Sequence, residues 1–349
     1  MPPATRRRPA TGWRAPARSA WWRRSSCTAA SSRSASQPDA RLPPRRAFPY
    51  DADPDPASTT YETAPVTQPS TSCSDPRAHK AARVRGVTSI AAMRAAIRAV
   101  ARDLPPLSAV PRTTMPGRAA FQARAAEGLP FIVTGLVDRW PLCTVTRDML
   151  RARFGDVPVR ARVGDYIGTA FAPDRAMHDM TLRAYLDLVA AGTEALPPYV
   201  GNLEIGALNG MCHWPGYFSK MGPPRFWLGP AGTVTPLHCD YDDNIFAQAL
   251  GTKRIFLAPP HHDEFLYTRE ANPVLHGSPF DPENPDYDRY PLARRAALVE
   301  CTVSPGEMLY VPAGWYHQVR ALTFSLSVNR WARALPLALK GDPALRRHD

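Results

Sequence analysis

From Tyr199 to Trp331 the chain is cut by Gly and Pro into short apolar or alternating runs: Phe226–Leu228, Ile245–Leu250, Arg254–Ala258, Leu298–Val303, Met308–Val311, Tyr316–Arg320 and Phe324–Val328. Runs this short favour strands over helices, and many short strands with tight turns predict an antiparallel barrel or jelly roll. Upstream the period changes. Met93, Ile97 and Val100 recur at helical spacing behind Ser89, and Pro105-Pro106 stops that helix. A second helix is expected between Pro116 and Gly128, leading into a strand at 130–134. Thr146 and Thr181 are placed to cap two more, closing at Gly155 and Gly192, with a strand over Val157–Val163 between them. The expectation is a mainly β barrel with an N-terminal helical cap. No internal repeat is visible.

Composition bounds what else the chain could be. It has 349 residues with 44% hydrophobic content, enough for a sizeable core and for one large domain with extensions, or two. The net charge of +12 suggests a nucleic-acid partner until it is located. Residues 1–50 carry 11 Arg and one acid, Asp39, whereas the stretch after residue 100 is nearly balanced. Residues 1–85 also hold 13 of the 39 prolines and little that could form a core. We expect a disordered tail there, or an upstream stretch from a mis-set start, with Met93 and Met115 close to the first regular structure. An organellar targeting or RNA-contacting role is the alternative. The remaining expected divisions are a helical lead-in over 86–118, a folded domain over 119–335 and a short tail over 336–349. Pro336 and Pro343 interrupt that tail, which disfavours a C-terminal helical dimer, and oligomeric state is otherwise unread. Six scattered cysteines without a CxxC argue against a disulfide scaffold and fit a reducing, cytoplasmic setting. No apolar run approaches the ~20 residues of a membrane span.

The chemistry concentrates in Thr235-Pro-Leu-His-Cys-Asp240. On a strand His238 and Asp240 share one face, while Cys239 points away into packing. Two imidazoles and one carboxylate hold non-haem Fe(II) with open positions, so a further His is required. His317, opening a strand after the turn Pro312-Ala-Gly-Trp315, can supply it in an antiparallel barrel. Taken alone, His317 would read as a core or rim histidine, and HxD as a surface pair. Phe324, Leu326 and Val328 alternate with Ser325, Ser327 and Asn329, which gives the last three one polar face.

The order and spacing of further strings resemble a known family. Asn244-Ile-Phe-Ala-Gln248, Gly251-Thr-Lys-Arg254, Pro259-Pro260, Asn284-Pro-Asp-Tyr-Asp-Arg-Tyr-Pro291, Leu309-Tyr-Val-Pro312 and Val328-Asn-Arg-Trp331 join the HxD motif over residues 226–331. This stretch resembles the cupin-like branch of the Jumonji-type Fe(II)- and 2-oxoglutarate-dependent oxygenases, with the asparaginyl hydroxylases of hypoxia-inducible factor as nearest relatives. A weaker likeness through Pro130–Trp140 reaches back to about Ala119. The resemblance implies a double-stranded β-helix, the jelly-roll or cupin barrel, with His238, Asp240 and His317 as iron ligands. It makes Lys253 the partner of the distal carboxylate of 2-oxoglutarate, with Thr235 and Tyr199 beside it. Asn244 and Asn329 would contact the chelating carboxylate. O₂ would be the other co-substrate, and succinate and CO₂ the co-products.

Substrate is less legible. Where the asparaginyl hydroxylases carry a Gln that contacts their peptide, this chain has Asp242, whose carboxylate would suit a cationic or donor-rich side chain. Trp331 is close enough to Asn329 to border the pocket. The primary substrate is expected to be a protein or peptide side chain or a small molecule. An N-methyl demethylase of the same superfamily is a second reading, and a non-catalytic metal-binding cupin a third. A nucleic-acid module rests on the tail alone. His261-His262-Asp263-Glu264 reads as an exposed first helical turn rather than a second metal site.

Overall fold

The computed structural model describes residues 90–332, apart from 171–174, 193–195, 219 and 273–274. The expected tails, 1–85 and 336–349, lie outside the described residues. Among the described residues four helices have eight residues or more: α1 (Ile90–Ala101), α2 (Arg118–Ala126), α3 (Arg147–Phe154) and α4 (Leu182–Ala191). The strands are β1 (Arg112–Thr114), β2 (Phe131–Thr134), β3 (Pro158–Arg162), β4 (Met177–Thr181), β5 (Tyr199–Leu203), β6 (Arg225–Gly229), β7 (Val234–Asp240), β8 (Asp243–Leu250) and β9 (Lys253–Ala258). They continue as β10 (Arg269–Asn272), β11 (Leu275–Gly277), β12 (Val299–Val303), β13 (Met308–Val311), β14 (Tyr316–Ala321) and β15 (Ser325–Ala332). Thr146 and Thr181 cap α3 and α4 as expected, accepting from the backbone N–H of Met149 and Ala184, and Gly192 closes α4 at φ 61°.

Two sheets result. One has nine strands in the order β1-β2-β13-β8-β15-β6-β5-β3-β4, the other six in the order β10-β11-β7-β14-β9-β12. From β6 to β9 and again from β12 to β15 the chain crosses between the sheets at every connection, while β9 to β12 stay in the six-stranded sheet. Thus β8 pairs with β13 and β15, while β14 pairs with β7 and β9, all antiparallel. That alternation is the double-stranded β-helix.

Period-two alternation sorts side chains into three layers. Outside the nine-stranded sheet, Val159, Ala161, Val200, Phe226, Leu228, Ile245, Ala247, Leu326 and Val328 pack against Leu150 of α3 and Tyr185 of α4. Outside the six-stranded sheet, Leu237, Cys239, Tyr316 and Ala258 meet Ile97 of α1. Between the sheets, Phe246, Ile255, Leu257, Leu309, Val311 and Val319 fill one part of the barrel. The polar residues of the next subsection occupy the rest.

Two expectations are corrected. Val100 is exposed, and α1 buries Ile97 and Ala101 instead, because residues four apart stack along this face. Asp263 is buried rather than exposed: Arg94 and Arg98 of α1 reach it at 2.7 and 3.0 Å, so the segment anchors the helical cap.

Candidate active site

Register brings the three metal-ligand candidates together. In the β7–β14 pair His317 stands opposite His238, with ring centroids 4.3 Å apart, and Asp240 follows two residues on. The turn before β14 is tied to β7: the Gly314 N–H donates to the Asp240 backbone carbonyl at 2.7 Å. Gly314 sits at φ 86°, where an L side chain is strained. Ligand atoms of all three residues lie within 4.8 Å of one another.

Hydrogen bonds set the chemical state of these groups. His238 Nδ1 lies 2.7 Å from the Pro236 carbonyl and His317 Nδ1 3.1 Å from that of Trp315. A carbonyl only accepts, so both imidazoles carry a proton on Nδ1, which leaves Nε2 as the atom that can turn to a metal. Burial, with His317 alongside, pushes His238 below the ordinary imidazole range and keeps it neutral. Asp240 Oδ2 accepts from the Trp331 indole N–H at 2.8 Å. Two imidazoles held through their Nδ1–H groups and an oriented carboxylate are the donor set that suits Fe(II).

Beside the triad lies a buried cation. Lys253 is 1% exposed and its ammonium donates to Ser327 Oγ at 2.7 Å. It also lies 5.9 and 5.5 Å from the ring centroids of Tyr199 and Phe246. Among the described residues none offers it a carboxylate, and burial pushes its pKa down to about 7. Tyr199 and Thr235 are paired through their hydroxyls at 3.3 Å. The Trp227 indole N–H donates to Asn329 Oδ1 at 2.6 Å, and Asn329 Nδ2–H donates to Asn244 Oδ1 at 2.9 Å. Since an indole cannot accept, both amides are fixed in orientation, and the Asn244 amide N–H groups remain as donors. A lone buried ammonium with nearby hydroxyl and amide donors fits a small dicarboxylate.

Asp242 lies half-buried in the β7–β8 turn, and Trp331 beside Asn244 on the inner face. Thr235 shares that face with His238 only because of a bulge. Between the pairs Val319↔Thr235 and His317↔His238, β7 spends one residue more than β14, around Pro236, which has no N–H to give the ladder. The reading of the sequence did not foresee the indole donors Trp227 and Trp331, or Arg162, buried beside Tyr199. Trp331 carried a signal, since it alternates in phase with Ser327 and Asn329 on β15.

The barrel and its triad define a Jumonji-type cupin. The chain belongs to the cupin-like domain family, whose model matches residues 118–336. It is 32% identical over 217 residues to the lysine-specific demethylase JMJ30 of Arabidopsis thaliana, covering 58% of this chain and 50% of that protein. It is 30% identical over 249 residues to lysine-specific demethylase 8 of Danio rerio, covering 65% and 59%. With the human bifunctional peptidase and (3S)-lysyl hydroxylase JMJD7 it shares 36% over 127 residues, or 31% and 40%. The chain thus spans about half the length of these relatives. None of the three is an asparaginyl hydroxylase, and the narrower likeness expected from the motifs has no support among them.

Proposed function

We propose that this chain is an Fe(II)- and 2-oxoglutarate-dependent oxygenase that hydroxylates a C–H bond of a protein or peptide side chain or a small molecule. The observation that carries the reading is Lys253, a buried ammonium without a carboxylate partner, on the inner face that also bears His238, Asp240 and His317. A metal-binding cupin without catalysis has no use for such a charge, whose burial unpaired is costly. Fe(II), 2-oxoglutarate and O₂ together supply oxidative decarboxylation to succinate and CO₂ and the transfer of one oxygen atom to the substrate.

The chain's own residues would do the positioning. His238, Asp240 and His317 hold the metal from one side and leave the other side open. Trp331 keeps the Asp240 carboxylate turned inward, and the two backbone carbonyls hold both imidazoles in the metal-binding tautomer. Lys253, with Ser327, Thr235 and Tyr199 around it, would neutralise the far carboxylate of 2-oxoglutarate, while Asn244 and Asn329 would donate to the near one. Lys253 stands four residues along β9 from Leu257, the residue opposite His317, or ~13 Å of strand. The lysine side chain and a short diacid can span that gap between them. Asp242 and Trp331 would border the substrate. We take 119–335 as the catalytic domain and 86–118 as a lead-in held on it through α1. Among the described residues no helix is long and apolar enough to cross a membrane.

The test is succinate formation from 2-oxoglutarate by protein reconstituted anaerobically with Fe(II) and then given O₂. Wild type is expected to turn over slowly without substrate, His238→Ala to fall to background, and Lys253→Met to need far more 2-oxoglutarate. Absence of succinate from wild type would favour the non-catalytic cupin. The names of the two demethylase relatives favour a second reading, N-methyl demethylation through a hydroxylated methyl group. Formaldehyde release from a methylated substrate separates it from stable hydroxylation.

A further inference from the structure

A second buried cation faces the same interior and has no place in the scheme above. On β3, Val159 and Ala161 pack in the outer layer, so Arg160 and Arg162 point the other way. Arg160 lies near the sheet edge and meets Asp179 in solvent. Arg162 stands opposite Tyr199 in the β3–β5 pair and is only 5% exposed. Its guanidinium carbon lies 5.5 Å from the ring centroids of both Tyr199 and Trp227. Its Nε is shut from solvent with no acceptor, and no described carboxylate or carbonyl accepts from the guanidinium. Burial, with the like charge of Arg175 adding to it, pushes Arg162 below the ordinary arginine range. Arginine nevertheless stays charged at neutral pH.

An unpaired buried guanidinium costs several kcal/mol unless something is gained by keeping it. Its planar fork is suited to a carboxylate or phosphate held by two parallel hydrogen bonds. The distal carboxylate of 2-oxoglutarate is already provided for at Lys253, opposite β15. Arg162 stands three strands from β15 along the sheet, through β6 and β5 to β3. Both cations lie near Tyr199, the Arg162 guanidinium carbon 5.5 Å and the Lys253 ammonium 5.9 Å from its ring centroid. Trp227 links Arg162 to the amide pair Asn329–Asn244.

We propose that Arg162, flanked by Tyr199 and Trp227, is a specificity-determining residue that receives an oxyanion carried by the primary substrate, a carboxylate or a phosphate. This rests on the oxygenase reading and deepens it. It is also the opposite of the cationic substrate that Asp242 suggested, so the two are separable by charge.

The experiment uses the full chain loaded with Mn(II) and 2-oxoglutarate without O₂, so that binding is read independently of turnover. The probes are N-acetylated, C-amidated pentapeptide pools with the central residue fixed as Asp, Glu, phosphoserine, Asn, Gln, Lys or Arg. Binding to the Asp and Glu pools or to the phosphoserine pool is expected to exceed the Asn and Gln pools about tenfold, the gain of one charged hydrogen-bonded pair. Which of these pools leads identifies the oxyanion. Arg162→Gln should erase that preference while leaving the KM for 2-oxoglutarate in uncoupled turnover within about twofold. Arg162→Met should raise the melting temperature of the ligand-free protein, because it removes an uncompensated charge.

A flat profile, or preference for the Lys and Arg pools, overturns the proposal. So does a tenfold rise in the KM for 2-oxoglutarate on Arg162→Gln, which would place the residue on the co-substrate. A lower melting temperature for Arg162→Met would make it a structural cation and would also overturn it. If wild type binds the acidic pools but makes no succinate, the oxygenase reading fails while the anion site stands.

Discussion

Trp331 illustrates how much of this site is held by single atoms. Its indole N–H is the donor that orients Asp240 Oδ2. Trp331→Phe keeps the ring and removes the hydrogen bond, so we expect Mn(II) affinity to drop by about 10- to 100-fold with little change in melting temperature. Equilibrium titration monitored by electron paramagnetic resonance checks it. Lys253 supplies a pH signature. Its folded pKa is depressed to about 7 from an unfolded value of ~10.4, so between those limits the unfolded chain binds more protons. Stability of the ligand-free protein should therefore rise from about pH 7 toward 10 on account of this residue, and the cost be fully present below 7. A bound dicarboxylate would favour the charged form, so 2-oxoglutarate binding at pH 8 should take up a proton. Calorimetry in buffers of different ionisation enthalpy measures that uptake, and Lys253→Met should abolish it. His238 and Asp240 were placed on one face from sequence because strand alternation is local, whereas His317 was reached only through the first motif and the family resemblance. Thr235 was harder, since period two puts it on the wrong face and only a bulge at Pro236 returns it. Arg162 left no mark, because Val-Arg-Ala-Arg-Val over 159–163 looks like any alternating strand with a solvated basic face.

At the level of elements, the turn before β14 ties the two halves of the site together. Gly314 needs its positive φ, and a Cβ there would lie 2.6 Å from Ile97 Cγ2 of α1. Gly314→Ala should cost about 1–3 kcal/mol in chemical denaturation. Because this turn sets His317 against Asp240, metal affinity should fall with it. The helix α1 is the other lever. Replacing both Arg94 and Arg98 by Ala leaves Asp263 buried without its partners. Since both arginines are partly exposed, we expect a loss of up to about 3 kcal/mol rather than the full cost of an orphaned buried carboxylate. Strand positions between β6 and β15 were readable from the sequence within a few residues. The short β10 and β11, which complete the six-stranded sheet beside β7, were not, because Arg269–Asn272 and Leu275–Gly277 lack an apolar alternation of their own.

Over the whole molecule, the charge that first suggested nucleic acid lies in residues 1–50, apart from the stretch that matches the family. A chain beginning at residue 86 is therefore expected to keep succinate formation. Loss of activity on that deletion, with folding intact by circular dichroism, would assign the tail a working part. The crossing of the chain between sheets has a kinetic consequence. Trp227–Asn329, Trp331–Asp240, Asn244–Asn329 and Lys253–Ser327 join residues 102, 91, 85 and 74 positions apart. These four contacts cannot close from neighbours in sequence, and they form only when β15 seats between β6 and β8. Chains dominated by such distant pairings refold on the scale of milliseconds to seconds. Substitutions in the pocket should therefore accelerate unfolding and leave the refolding rate nearly unchanged.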